Sequence, residues 1–471
     1  MRIAAYPIKG FTLSAFWYIT TTGMYLLKNF YILNPVDVDA EAEKKGFDFY
    51  KGTLLIKNGK IEKIYGAEEK IKPNEEAIEI LDGRFQKLIF PGFIQGHIHF
   101  CQTLHRNLAE EMPLITWLKK EIWPYEAALT PKTMGQSVIM SLKEVLSSGI
   151  TSVLDMGTVH HQEVIFDIMK EVGYRYTGGK AMMDRCEGAP EGLTETTADS
   201  IKKSMTLYER FHSNSKGRGD GLLHYAFAPR FVLSCSPELL KEVRQLSDQH
   251  NIIIHTHASE HPEEVASIRE ATGYGNVAYL DKLGALNRNC VIAHMIHLDE
   301  EEKELVKKYN LSVAHCPTTN LKLGSGVAPI AEYLKNNVWV GLGSDGAPCN
   351  NSLSIFKELK LAPLLQKGIN NNHLLVTPED ALRMVSINGA RLTRQEQWVG
   401  KIEENMEADL VLLDMDTPQT FNFEKNPPAA IVYGADTRNV FATMVQGKFL
   451  YRGGKFSKEI NELDNHYNSS L

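Results

Sequence analysis

Between residues 87 and 395, apolar strand-like segments alternate with amphipathic helical segments. The strand-like segments are residues 151–155, 223–229, 252–257, 290–294, 311–315 and 338–345, and the clearest helical segments are 237–250 and 299–309. Strands that alternate with helices in this way are typical of a parallel sheet, and the length of the region suits a closed barrel. The sequence therefore predicts an α/β fold, with a (β/α)8 TIM-like barrel over residues 87–395.

The regions on either side of this segment are predicted to be β structure. Two β-rich runs flank Asn58-Gly59, and a second pair flanks Gln446-Gly447; both dipeptides are strong hairpin signals. We expect residues 24–86 and 396–456 to form one small composite β-sandwich domain. Residues 457–471 are predicted to be a polar tail that frays.

The first 23 residues have an unusual composition. Residues 10–27 carry no charge and follow Arg2 and Lys9, which superficially resembles a signal or anchor. The stretch contains several hydroxyl side chains and barely reaches the ~18 apolar residues of a membrane span. We interpret residues 1–23 as a non-native or disordered extension, with an added strand or a membrane anchor as the alternatives.

Composition and charge exclude several classes of protein. The net charge is −7, and we find no basic block of the kind that binds nucleic acid. The six cysteines contain no C-x-x-C pair, which favours reduced thiols in a cytoplasmic protein. We interpret them as small buried apolar side chains: Cys101, Cys186, Cys235, Cys290, Cys316 and Cys349.

Four of the predicted strands end in side chains that can bind a metal ion. His97 and His99 are two residues apart on one strand, so both rings point to the same side and can chelate one ion. His257, His294 and Asp345 end three further strands. A single His-x-His pair is more often structural. Four such strand ends together indicate a metal site, because the chemistry of these barrels lies where the strands end.

Histidine nitrogens with one carboxylate suit Zn²⁺, and Fe²⁺ and Mn²⁺ are the alternatives. The predicted cofactor is therefore one divalent metal ion per subunit. Such an ion lowers the pKa of a bound water to about 7, which supplies a nucleophile for an electron-poor carbon. Asp345 is predicted to take the water proton. Glu260, three residues beyond His257, is predicted to protonate the ring nitrogen and the leaving amine.

Five segments together resemble the amidohydrolase superfamily. Within it, the resemblance is to the group of 5-methylthioadenosine/S-adenosylhomocysteine deaminases, guanine deaminases and s-triazine hydrolases. The similarity extends over nearly all of residues 24–455, and it is more specific for the superfamily than for the substrate. The segments are residues 91–99, 254–260, 292–294, 315–326 and 341–347.

This resemblance implies a mononuclear metal site and assigns roles around it. The implied ligands are His97, His99, His257 and Asp345. His294 would orient the attacking water or the tetrahedral intermediate, and Glu260 would shuttle the proton. His255, two residues before His257, is interpreted as a histidine of the barrel interior.

The resemblance also implies substrate contacts. Glu126 matches a glutamate that grips ribose hydroxyls in the nucleoside deaminases, although a helix-surface carboxylate is the alternative. Arg230 stands where those enzymes have histidine, and it is more similar to guanine deaminases, in which an arginine contacts the base. Lys180 replaces an arginine after strand 3. Gln102, three residues after His99, is also predicted to face the substrate.

The predicted function is that of a metal-dependent aminohydrolase, which removes an amino group from a purine-like heterocycle and releases ammonia. An adenosine derivative, a guanine, a pterin and a triazine all stay open as substrates. The alternatives are a chlorohydrolase or another C–N hydrolase of the s-triazine type, and a non-catalytic barrel subunit. The expected partner is a small heterocycle, not nucleic acid or a membrane. A homodimer or higher homo-oligomer is compatible with the resemblance.

Overall fold

The computed structural model describes residues 23–36, 46–69, 71, 78–185, 187–213 and 221–468. The extension predicted for residues 1–23 lies outside the described residues, except for Gly23. Among the helices that the structure describes, none has the length and apolar character needed to cross a lipid bilayer.

Strands and helices alternate along most of the described chain. The strands are β1 (Met24–Pro35), β2 (Phe47–Lys57), β3 (Lys60–Gly66), β4 (Glu79–Asp82), β5 (Lys87–Pro91), β6 (Phe93–His99), β7 (Ile150–Met156), β8 (Arg175–Gly179), β9 (Ala181–Met182), β10 (Leu223–Tyr225), β11 (Ala228–Pro229), β12 (Ile254–Ala258), β13 (Cys290–His294), β14 (Ser312–His315), β15 (Trp339–Leu342), β16 (Asp345–Gly346), β17 (Leu410–Asp414), β18 (Val440–Val445), β19 (Lys448–Arg452) and β20 (Lys455–Phe456). The α-helices are α1 (Leu114–Trp117), α2 (Trp123–Ala127), α3 (Pro131–Ser147), α4 (Gln162–Val172), α5 (Thr197–Phe211), α6 (Pro237–His250), α7 (Pro262–Thr272), α8 (Asn276–Lys282), α9 (Glu300–Tyr309), α10 (Pro317–Lys322), α11 (Ile330–Lys335), α12 (Ala347–Asn350), α13 (Ile355–Ile369), α14 (Pro378–Met384), α15 (Ile387–Leu392), α16 (Pro427–Ala429) and α17 (Lys458–Asn468).

One nine-stranded sheet contains segments from both flanking regions. It is built from β1–β5 and β17–β20, and the antiparallel pair β5–β17 joins its two parts. Both predicted hairpins are confirmed, because Asn58 and Gly59 have φ of 52° and 80° and Gln446 and Gly447 have φ of 45° and 72°. Tight two-residue turns need this positive φ. The sheet reaches Pro91, beyond the boundary expected at residue 86.

The strands between these two parts pair in parallel. β6, β7, β8 and β10 are consecutive neighbours, and so are β12, β13, β14 and β15. β16 follows β15 and pairs with β6, where Asp345 lies opposite Ile98. An isolated parallel bridge joins Phe227 to Ile254, between the two groups of strands. This register brings the carboxyl ends of the strands to one side of the molecule.

Within the predicted polar tail, Lys458–Asn468 form helix α17, which the sequence analysis did not predict. Helix α17 buries Ile460 and Leu463, and Lys143 of α3 forms a 2.7 Å ion pair with Asp464. Its few apolar residues are spaced to lie on one helical face. The overall polarity of the segment concealed this short amphipathic pattern.

A buried ion cluster ties the parallel strands to the composite sheet. Arg175 of β8 donates from Nε to Asp409 Oδ2 (2.6 Å) and from Nη2 to Asp409 Oδ1 (3.0 Å), and it also pairs with Glu407. Asp409 Oδ1 further accepts the backbone N–H of Gln446, at 2.8 Å. Each of the three charged side chains is at most 2% exposed, so none can exchange its partner for water.

Replacing Arg175 with Met is expected to lower the free energy of unfolding by about 3–5 kcal/mol, because two buried carboxylates lose their cation. Urea denaturation followed by circular dichroism measures the change. The control is Arg210→Met, whose pair with Asp167 is about half exposed and is worth less than about 1 kcal/mol. Equal losses in the two variants would contradict the role assigned to the cluster.

Candidate active site

The ligand-type residues predicted from the sequence meet at the carboxyl ends of the parallel strands. His97 and His99 close β6, His257 lies near the end of β12, His294 closes β13, and Asp345 opens β16. His257 is partly exposed, and the other four are buried. The parallel register therefore collects side chains that are up to 248 positions apart (345 − 97) into one cluster.

Backbone carbonyl groups orient two of the imidazole rings. Nδ1–H of His99 donates to the carbonyl of Met156 at 2.7 Å, and Nδ1–H of His257 donates to the carbonyl of Arg230 at 2.8 Å. A carbonyl oxygen only accepts, so each Nδ1 carries the hydrogen. The lone pair of each ring is therefore on Nε2, which faces the centre of the cluster.

The distances among the donor atoms fit one small cation. His97 Nε2 lies 3.2 Å from His257 Nε2 and 3.3 Å from Asp345 Oδ1, and His99 Nε2 lies 3.2 Å from the same oxygen. Ligands held about 2.0–2.1 Å from a tetrahedral zinc ion are about 3.4 Å apart. Lone pairs that face one another this closely repel unless a cation lies between them. The donor set therefore fits a divalent metal.

His255 has a function that sequence reasoning missed. It is buried in the interior, as expected, but its Nε2 lies 2.8 Å from Nδ1 of His97. When His97 Nε2 keeps its lone pair, its Nδ1–H donates to His255. Burial lowers the pKa of His97 to about 4 and holds the pKa of His255 well below its usual value, so both rings are neutral. A buried partner of this kind fixes the orientation of a metal ligand.

His294 is placed between two carboxylates. Its Nδ1–H donates to Oδ1 of Asn320 at 2.8 Å, which leaves the lone pair on Nε2. This Nε2 is 3.4 Å from Oε2 of Glu260 and 3.8 Å from Oδ2 of Asp345. The ring can therefore accept a hydrogen bond, or bind a cation, at the centre of the site.

Glu260 lies at the edge of this cluster, where its surroundings favour the protonated carboxyl group. Burial raises the pKa of its carboxyl well above the usual value, and the charges of Asp345 and Glu264 raise it further. Its backbone N–H donates to Oε2 of Glu264 at 2.8 Å. A carboxyl group that keeps its proton near neutral pH can act as a general acid.

The backbone at the site is strained. His294 has φ of 73°, Asp345 has φ of 64°, and Ser259, beside Glu260, has φ of 55°. Side chains other than glycine rarely adopt these angles, which cost of order 1–3 kcal/mol each. Such strain persists where it directs side chains into a functional site.

A narrow cavity opens beside the candidate metal ligands. Its wall combines the polar cluster with apolar side chains from α1 and from the π-helical turn that follows it, Leu118–Ile122. The lining residues are His99, Gln102, Leu114, Trp117, Leu118, Arg230, Phe231, His257, Glu260, His294, Leu323 and Asp345. Of the apolar residues in this lining, Leu118 is the one that belongs to the π-helical turn.

Three of the predicted substrate contacts are joined to one another. Gln102 Nε2 donates to Glu126 Oε1 at 2.9 Å, and Arg230 donates to the same carboxylate at 2.5 Å and 3.2 Å. Gln102 and Arg230 line the cavity. Glu126 is 2% exposed and is not among the described lining residues. The carboxylate therefore supports the cavity wall from behind.

Lys180 is not brought to the cavity. It is 1% exposed and does not belong to the lining among the residues described. Its ammonium group pairs with Glu195 and donates to the carbonyl of Ala181 at 3.1 Å. Lys180, which directly follows β8, therefore forms a buried structural ion pair. The proposed contact of Lys180 with the substrate has no geometric support.

Parallel strands that carry histidine and aspartate side chains at their carboxyl ends are typical of α/β barrel proteins whose chemistry uses a metal ion. The model of the amidohydrolase family matches residues 88–450 of the chain. Because the match includes more than half of the sequence, the chain belongs to the amidohydrolase family. The family predicted from the sequence is confirmed.

Individual relatives and solved structures agree with this family. A 5'-deoxyadenosine deaminase of Methanobrevibacter smithii is 34% identical over 93% of this chain and 94% of its own length. An adenosine deaminase from Xanthomonas campestris with bound zinc is 25% identical, with a TM-score of 0.82 over 94% of this chain and 98% of that one. The guanine deaminase of E. coli is 28% identical, with a TM-score of 0.81 over 90% of this chain and 100% of that one.

Replacing either His257 or Asp345 with Ala is expected to abolish stoichiometric metal binding, because each change removes a central donor atom. Inductively coupled plasma mass spectrometry of the dialysed protein measures the metal. The control is His373→Ala, an exposed histidine, which should keep its metal. Wild-type metal content in His257→Ala or Asp345→Ala would overturn the assigned ligand set.

Proposed function

We propose that this protein is a metal-dependent aminohydrolase that removes an amino group from a purine-like heterocycle and releases ammonia. The observation that carries the proposal is the pairing of a buried proton donor, Glu260, with a proton acceptor, Asp345, on either side of His294. Hydrolysis of an amine needs both, since water must lose a proton and the leaving group must gain one.

We assign one divalent ion to His97, His99, His257 and Asp345. Zinc is favoured by three neutral imidazoles with a carboxylate, and Fe²⁺ and Mn²⁺ are the alternatives. Such an ion, when bound, lowers the pKa of water enough to make it a nucleophile at neutral pH.

The protein side chains account for every proton in the reaction. Asp345 accepts a proton from the attacking water, and Glu260 donates its proton to the ring nitrogen beside the attacked carbon. The proton on Asp345 then leaves with the amine as ammonia. The remaining hydroxyl proton returns to Glu260 as the carbonyl forms. His294 Nε2 orients the oxygen during these transfers.

The runner-up activities are dechlorination and other C–N hydrolysis of the s-triazine type. Chloride leaves without a proton, so dechlorination gives no use to the proton that Asp345 delivers to the leaving amine. A non-catalytic barrel subunit is disfavoured because all of the proposed ligands are present.

The proposal also assigns the residues that contact the substrate. We infer that Arg230 and Gln102 bind the heterocycle, because both line the cavity. Glu126 accepts hydrogen bonds from both of them, which fixes their positions and satisfies the carboxylate. This arrangement favours a free base, as in the E. coli guanine deaminase, over a nucleoside, as in the 5'-deoxyadenosine deaminase.

We also infer that the parallel strands close into the (β/α)8 barrel, with the composite sheet as its satellite β-sandwich domain. Two pairings support closure: β16 with β6, and Phe227 with Ile254.

A panel of candidate substrates tests the proposal through ammonia release by the zinc-loaded protein. The panel contains adenosine, 5'-deoxyadenosine, S-adenosylhomocysteine, guanine, 8-oxoguanine, pterins and aminotriazines. We expect release from free bases, and we expect Arg230→Met to change the preference among them without loss of zinc. Release from nucleosides alone would contradict the base-recognition role. Silence across the panel, with zinc bound, would contradict deamination.

Replacing Glu260 with Gln is expected to lower turnover by roughly 10²-fold or more, the scale of a lost general acid, while the zinc content stays constant. Glu263→Gln is the matched control, since this neighbouring carboxylate is exposed. Steady-state ammonia release and zinc analysis measure both variants. Wild-type turnover in Glu260→Gln would remove the proton-donor role.

A further inference from the structure

Cys316 lies directly after β14, and its thiol is fully buried against the candidate metal centre. Its Sγ, a ring nitrogen of His294 and a carboxylate oxygen of Asp345 all lie within 4.8 Å of one another. The thiol makes a long contact of 3.9 Å to the carbonyl of Ala314, which is weak enough to be given up. This group of three donor atoms shares Asp345 with the ligand set assigned above, and it adds His294 and the sulfur of Cys316.

The two oxygens of Asp345 face different partners. Oδ1 lies 3.3 Å from Nε2 of His97 and 3.2 Å from Nε2 of His99, whereas Oδ2 lies 3.8 Å from Nε2 of His294. A carboxylate in this position can bridge two cations, and paired metal ions in enzymes are about 3.5–4 Å apart. Oδ2 of Asp345 is therefore left to face a second ion beside His294 while Oδ1 faces the first.

We propose that His294, Cys316 and Asp345 form a second, weaker site for a thiophilic divalent cation, Cd²⁺ or excess Zn²⁺, and that its occupation inhibits the enzyme. Soft thiolates select such ions. The site is weaker because its donor atoms must approach to about 3.4–3.6 Å around one ion, and because the thiol must lose its proton.

The inhibitory part of this proposal rests on the proposed function. In that reaction, Asp345 carries a proton and Nε2 of His294 orients the oxygen. A cation bound to both removes the two lone pairs that these tasks need. The fraction of activity that is lost should therefore equal the fraction of molecules whose second site is occupied.

The test titrates Cd²⁺ into the protein that already holds one equivalent of zinc, and it records two signals. One is the near-ultraviolet charge-transfer absorption of a cadmium–thiolate bond, and the other is ammonia release. In the wild-type protein, the absorption should saturate at one further equivalent while activity falls in parallel. Cys316→Ser should lose this absorption and need at least about tenfold more Cd²⁺ for the same inhibition.

Cys290→Ser is the matched control. Cys290 is also buried, but its thiol donates to Oδ1 of Asn287 at 3.5 Å. This variant should behave as the wild type. Binding of the first zinc equivalent by Cys316→Ser shows that this variant is folded. Unchanged absorption and inhibition in Cys316→Ser would overturn the site. The absorption is measured without substrate, so a failure of the deaminase proposal leaves the binding result intact. Stoichiometric absorption without inhibition would keep the site and overturn its effect.

Discussion

The site depends on imidazole lone pairs directed at one point. His99 and His257 are held by backbone carbonyls, and His97 is held by the buried ring of His255. Each contact consumes an Nδ1–H and leaves Nε2 facing the cluster, where Nε2 of His97 and Nε2 of His257 are 3.2 Å apart. This arrangement is unfavourable by itself, because lone pairs repel. It becomes favourable when a cation is bound between the lone pairs. Folding therefore positions the donor atoms, and metal binding offsets their repulsion.

The burial that keeps His97 and His255 neutral also favours the protonated form of Glu260. Removing a carboxylate from water raises its pKa, and Asp345 and Glu264 raise it further. The pKa of Asp345 is held well below its usual value: burial would raise it, but the imidazoles of His97 and His99 that face Oδ1 outweigh that effect. The two carboxyl groups in this cluster thus differ in protonation, and acid and base catalysis requires one protonated and one ionised group.

Behind the cavity, the carboxylate of Glu126 pairs with Arg230 and fixes the position of its guanidinium group.

Sequence reasoning grouped the proposed ligands because each was assigned to the end of a strand, and parallel strands end on one side. It could not reach their orientation, because the partners of the rings are backbone carbonyls and Asn320, which belong to other parts of the chain. The family resemblance made both Glu126 and Lys180 candidate substrate contacts. Their ion pairs, with Arg230 and Glu195, exist only in the folded chain. Helix α17 was missed for a related reason, since its apolar face became visible only through its packing on α3.

X-ray absorption spectroscopy of the protein with one equivalent of zinc tests the central claim most directly. It reports the elements around the ion and the scattering from imidazole rings. We predict a shell of nitrogen and oxygen only, with scattering from three histidines. A sulfur ligand at this first equivalent, or a shell with a single imidazole, would contradict the convergence of His97, His99 and His257 on one metal ion.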